Sequence, residues 1–211
     1  MKLKQEEKSE RSQGLILEAA LQLFSKQGYR GTSIREIAEL AGLSTGNVYH
    51  HFPDKDSLFR TLLDQYWAAI DSPDFPFNKA LAAGAFPNDL EALAEAAKES
   101  VRAYRRHVAL IYVDVVEMDG THIRKFYSGM SGRFASFLSH RFPDGSLKDR
   151  LAPGVDPTTG LMLASRIFLH YFAVEILFGV PEQFGEDSPA AVKQISDILR
   201  HGLLRLSRSE K

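Results

Sequence analysis

Residues 28–55 read GYRGTSIREIAELAGLSTGNVYHHFPDK, and the reading of this stretch decides the fold. Ser33 precedes Glu36 by three residues, the spacing at which a hydroxyl and a carboxylate reciprocally satisfy the orphan donors of a first helical turn. Ile34, Ile37, Ala38 and Ala41 then recur at i, i+3, i+4, i+7, which is one apolar face of a helix. Gly42 falls where a left-handed C-terminal cap belongs, Leu43 supplies the apolar contact that accompanies such a cap, and Ser44 can cap a new helix at once. Two short helices joined by a very tight turn make a helix-turn-helix.

The second of these helices has two large apolar residues for the interior, Val48 and Phe52, at i, i+4. Its other face carries Thr45, Gly46, Asn47, Tyr49, His50 and His51 in place of the Lys/Glu mixture of an ordinary solvated surface. Short hydroxyl, amide and imidazole groups suit a helix laid in a major groove, where Asn bonds adenine edges, His donates to guanine acceptors and Gly admits the backbone. On this reading Thr45, Asn47 and His50 discriminate bases, while Ser33, Tyr49 and His51 hold phosphates. Lys55 opens a further helix capped by Asp54, where its ammonium and the first amide groups would hold a phosphate. Thr32 and Ser44 complete the set expected to face DNA.

This stretch resembles the N-terminal pattern of the TetR family of transcriptional regulators. Phe24, Gly28, Thr32, Ser33, Ile37, Ala38, Ala41, Gly42, Leu43, Ser44, Gly46, Tyr49, His51, Phe52, Lys55 and Leu58 fall at that family's offsets, over roughly the first 65 positions. The resemblance implies an all-α chain: a three-helix DNA-binding domain, then a helical domain that binds a small-molecule effector and dimerises. It further implies a repressor that binds palindromic double-stranded operator DNA as a homodimer. The remaining two-thirds carries no matching motif, so that part rests on its own residues.

With 211 residues, 44% of them hydrophobic, two helical domains fit. The formal net charge of −1 argues against a polybasic protein that coats nucleic acid indiscriminately, yet residues 1–35 hold seven Lys and Arg against four Asp and Glu. Cysteine is missing from the sequence, so a disulfide scaffold, a thiolate metal site and a thiol switch are excluded. No run reaches 18 consecutive apolar residues and the leading MKLKQEEKSERSQG is polar, so no membrane partner is expected and the location is read as cytoplasmic. The expected division is a DNA-binding domain over 1–70, flexible up to Arg11, and an effector and dimerisation domain over 71–211. Lys2, Lys4 and Lys8 on that flexible arm are within reach of a phosphate backbone.

Along the chain, Leu15, Ile16, Ala19, Ala20, Leu23 and Phe24 predict a first helix from about Ser12 to Lys26, stopped by Gly28. Leu58, Phe59, Leu62, Leu63 and Trp67 form the buried face of a fourth helix, and the proline-containing 71–88 stretch reads as an irregular connection. Asn88 with Glu91 then starts a helix. The β-branched 108–120 is read as helix despite its strand propensity, because no partner strand is in sight. A helix over 121–141, loops at PDG and APGVDP, a helix capped by Asp156 with Pro157 at its first position, and a last helix after Ser188 complete an all-α pattern.

The middle of the chain is aromatic through Tyr104, Tyr112, Phe126, Tyr127, Phe134, Phe137, Phe168, Tyr171 and Phe172, with His107, Asp114, Glu117, His122 and His170 among them. Tyr104, His107, Tyr112, Glu117, Phe126, Met130, Phe134 and Phe172 are the candidate lining of a largely apolar or aromatic effector site. For each of them plain core or a structural pair is the competing reading. The apolar runs near 157–178 and 189–206 exceed what one face of a monomer needs and are read as the dimer seam, so that Glu at both Ile195 and Leu199 is expected to give a monomer. His50 and His51 are adjacent, point about 100° apart and lack a carboxylate at i+4, so no metal site is read there. No cofactor site and no catalytic elbow or phosphate loop is legible either. An all-α enzyme and a helical protein-protein adaptor are the competing function classes.

Overall fold

The computed structural model describes residues 2–203, with side chains from Glu6 onward. Among them are twelve helices: α1 Lys2–Gln27, α2 Ile34–Ala41, α3 Thr45–His51, α4 Lys55–Asp71, α5 Pro76–Ala83, α6 Ala85–Asn88, α7 Leu90–Ala103, α8 Arg105–Glu117, α9 Thr121–Arg141, α10 Ser146–Arg150, α11 Pro157–Leu177 and α12 Ser188–Leu203. The expected last-helix residue Leu206 lies outside the described residues. The chain divides into two compact units, one containing everything to Ala69 together with Arg106–Lys125, the other Ile70–Arg105 together with the chain from Phe126. Residues 106–125 thus join the first unit. Leu110 explains why: it is fully buried in that unit's core, with Val113 and Met118 packed against the same cluster.

In the first unit α1 buries Ile16, Leu17, Ala19, Ala20, Leu21 and Phe24, whereas Leu15 is exposed. The apolar stripe is therefore turned from the one expected. The helix also begins at Lys2 and not near Ser12, so the segment expected to be a flexible arm is helical. Its residues are mostly good helix formers without Gly or Pro before Gly14, and Glu7 and Arg11 stand at the favourable i, i+4 spacing. The side chains of Lys2 and Lys4 lie outside the described residues. Phe24, Phe59, Leu58, Leu62 and Leu63 complete a core on which α2 and α3 rest through Ile37, Ala38, Val48 and Phe52.

In the second unit α7 is the central helix and packs against α5 and α11. Leu90, Leu93, Ala94, Ala97 and Val101 of α7 meet Leu161, Ala164, Phe168 and Phe172 of α11 in one cluster. The segment read as an irregular connection contains α5 and the single turn α6. Proline at the first position of α5 explains this, since its fixed φ is preorganised for a helix start. The cap of α7 is Asp89, whose carboxylate accepts from Ala92 N–H at 2.9 Å, one residue past the expected Asn88. Asp156 caps α11 as expected, accepting from Thr159 N–H at 2.8 Å. By length and composition α11 would suffice to cross a membrane. It buries Leu161, Ala164, Phe168, Tyr171 and Phe172 in the unit's own core.

Candidate nucleic-acid interface

Each end of α2 is fixed by its own residues. Ser33 Oγ accepts from Glu36 N–H at 3.2 Å, and Ser33 N–H donates back to the Glu36 carboxylate at 2.8 Å. The same carboxylate receives the Ser33 hydroxyl, and these bonds hold the Glu36 pKa below the usual carboxylate value. At the other end Gly42 has φ 68°, where any side chain would be strained. Its N–H reaches Glu39 O at 3.1 Å and Leu43 N–H reaches Ala38 O at 2.9 Å, the two bonds of a Schellman stop. Ser44 then caps α3 by accepting from Asn47 N–H at 3.2 Å. The turn between the helices is two residues long, Leu43 and Ser44, once Gly42 has ended α2.

Val48 at 0% and Phe52 at 4% exposure anchor α3 to the core. Thr45, Gly46 and His50 are exposed, Tyr49 is 55% exposed, and His51 is half-buried. The His50 and His51 rings meet edge to face with centroids 5.3 Å apart. Two members of the expected DNA-facing set are placed otherwise. Thr32 is buried, and its hydroxyl donates to Gly28 O at 2.7 Å, so it closes a loop and has no side chain to offer DNA. Asn47 is half-buried with Oδ1 covered by protein and without a hydrogen-bond partner, so its acceptor does not stand free on the outer face. Position i+3 from a cap lies toward the flank of so short a helix, which a period count alone does not resolve.

Lys55 is part of the scaffold as well as of the candidate interface. Its ammonium donates to Tyr29 O at 2.8 Å and to Thr32 O at 2.7 Å, and it lies 4.2 Å over the Tyr29 ring. Burial lowers the Lys55 pKa, against the raising effect of Glu117 and Glu36. Arg30 and Arg35, exposed around the start of α2, are cations that the sequence reading did not single out. Their signal was present in the positive balance of the first 35 residues.

Residues 16–62 match the model of the bacterial regulatory proteins of the tetR family. Over those residues the chain is similar to the DNA-binding region of that family. It is 34% identical over 103 residues to the transcriptional repressor KstR2 of Rhodococcus jostii, a stretch that covers 48% of each chain. It is 50% identical over 58 residues to the transcriptional regulator AcrR of Shigella flexneri, covering 28% of this chain and 26% of AcrR. The match thus spans about half the length of such relatives or less. Over 93% of this chain and 98% of the other, the fold is similar to NalD, the secondary repressor of the MexAB-OprM multidrug efflux pump in Pseudomonas aeruginosa, with a TM-score of 0.62 at 21% identity.

The candidate effector residues do not belong to one unit. His107, Tyr112 and Glu117 belong to the first unit, and Tyr104, Phe126, Met130, Phe134 and Phe172 to the second. His107 stacks on Tyr66 with centroids 5.5 Å apart, and burial lowers its pKa. Glu117 accepts from Arg30 N–H at 2.6 Å. Phe172 is fully buried, with Tyr104 and Phe134 packed against the same core, and the Arg133 guanidinium lies 4.3 Å over the Phe126 ring. None of the eight lines the cleft of about 680 Å³ formed by Lys148 to Pro157. At the expected dimer seam Ile195 and Leu199 are core residues, whereas Leu163 of α11 and Ile198 of α12 are 48% and 71% exposed. Ile195 and Leu199, picked from the apolar run of α12, thus lie on its inward stripe.

Proposed function

We propose that this chain is a transcriptional regulator, a repressor that binds palindromic operator DNA as a homodimer and answers to a small molecule held by the second unit. The observation that carries the reading is α3 itself. Its inward face is Val48, backed by Phe52 just past its end, and its outward face is Thr45, Gly46, Tyr49 and His50, without the Lys/Glu mixture of a solvated helix. Groups of that kind have base edges as their natural partners in a major groove. The names of KstR2 and NalD, both repressors, support the sign of the effect. The aromatic core of the second unit, with Phe75, Tyr104, Phe168, Tyr171 and Phe172, supports an effector that is largely apolar or aromatic. The exposed Leu163 and Ile198 support a dimer face on α11 and α12. On this reading the protein works in the cytoplasm, beside DNA, and is not an enzyme.

The test is an electrophoretic shift with duplexes enriched from a random pool. A retarded band that survives excess unrelated duplex supports the reading. Retardation abolished equally by any competitor would sink it.

A further inference from the structure

We propose that Glu117 is a positioning residue for DNA recognition: from the end of α8 it sets the conformation of the Gly28–Thr32 loop from which α2 and α3 are launched. The inference rests on the DNA-binding reading above. Glu117 stands 87 positions from Arg30 in sequence, yet it accepts two hydrogen bonds from that residue. The Glu117 carboxylate accepts from Arg30 N–H at 2.6 Å, and the Arg30 guanidinium donates to the Glu117 carbonyl at 3.1 Å. Charge-assisted bonds of this kind are the short, strong ones, and the amide they hold lies in a loop with no helical partner to offer.

Gly28 gives an independent sign that the carboxylate is built into the loop. Its φ is +80°, and a methyl group placed there would overlap Glu117 Oε1. The glycine therefore meets two demands at once, a left-handed backbone and room for the acid. Lys55 holds the same loop through the carbonyls of Tyr29 and Thr32. The loop is thus gripped at its donors by Glu117 and at its acceptors by Lys55, and it runs directly into Ser33, the cap of α2. Leu110, fully buried in the first unit's core, fixes the helix that carries the acid. A carboxylate beside a face that must receive phosphates is electrostatically unfavourable for DNA, so its place here is explained by geometry and not by charge.

The experiment compares Glu117→Ala, Glu117→Gln and Glu117→Asp with wild type, using a duplex drawn from the enriched random pool. Gln keeps an acceptor at the same reach without the charge, whereas Asp keeps the charge and loses the reach. Affinity should fall about tenfold for Ala and for Asp, and stay at or above the wild-type level for Gln. Helical circular dichroism and melting of each variant give the folded fraction, and the affinity loss should remain when the comparison is made per folded molecule. Should Ala fail to fold, the contrast between Asp and Gln decides. Equal affinity across all four proteins overturns the inference while leaving the DNA reading intact, as does a loss that vanishes once folded fraction is accounted for. Failure of wild-type protein to retard any duplex overturns both.

Discussion

The Lys55 ammonium lies 4.2 Å over the Tyr29 ring while donating to the Tyr29 carbonyl at 2.8 Å. A second bond to Thr32 O at 2.7 Å leaves one N–H for a phosphate. Lys55→Met should therefore have two effects. Two loop carbonyls lose a charged donor, which costs about 1–3 kcal/mol of unit stability, and the salt dependence of DNA binding falls by about one phosphate at most. Urea melts and a salt titration of the shift measure the two. An unchanged melt with a slope reduced by a full phosphate would mean the lysine serves DNA alone.

Among the outward residues of α3, His50 is exposed and Asn47 is half-buried with a covered acceptor. His50→Ala should cost about 1–3 kcal/mol at the preferred site and relax one base position, whereas Asn47→Ala should change affinity without rewriting the preference. Quantitative shifts on single-base variants of the site distinguish the two. An Asn47 variant with altered base choice would show that its side chain turns outward on DNA.

His107 gives the first unit a pH dependence whose sign follows from its lowered pKa. The fold favours neutral imidazole, while the unfolded chain takes up a proton at the ordinary value of about 6.5. The contribution is complete above that pH and is lost progressively below it, until the folded protein also accepts the proton. Melting temperatures followed through mildly acidic pH should fall more steeply for wild type than for His107→Phe. Parallel curves would remove His107 as the cause.

Leu163 and Ile198 are exposed where Ile195 and Leu199 are buried. Replacing Leu163 and Ile198 together with Glu should give a folded monomer in sedimentation, and replacing Ile195 and Leu199 with Glu should unfold the second unit by burying charge. A folded dimer from the first pair would move the dimer face elsewhere.

How far the sequence could be read depended on the range of the physics involved. The ends of α2 and the start of α3 were legible because capping is local: Ser33 with Glu36, Gly42 with Leu43, and Ser44 act within three residues. The inward pair Val48 and Phe52 was legible for the same reason. What the sequence concealed depends on distant partners. Glu117 looked like a candidate ligand group because nothing local reveals that it meets Arg30. The bond of Thr32, by contrast, is local: its hydroxyl turns back to Gly28, four residues earlier. The helical start of α1 and the short α5 and α6 were missed because charge and proline were weighed as breakers where they act as helix formers and starters.

The most direct test of the central claim, that the outer face of α3 reads bases, is selection from random duplex DNA carried out in parallel with wild type and with Thr45→Ala plus His50→Ala. Wild type should enrich an inverted repeat with half-site centres about one helical turn apart or a multiple of it. The double variant should enrich a repeat of the same spacing with information lost at the base pairs those side chains meet. Recovery of one identical motif by both proteins would contradict the account.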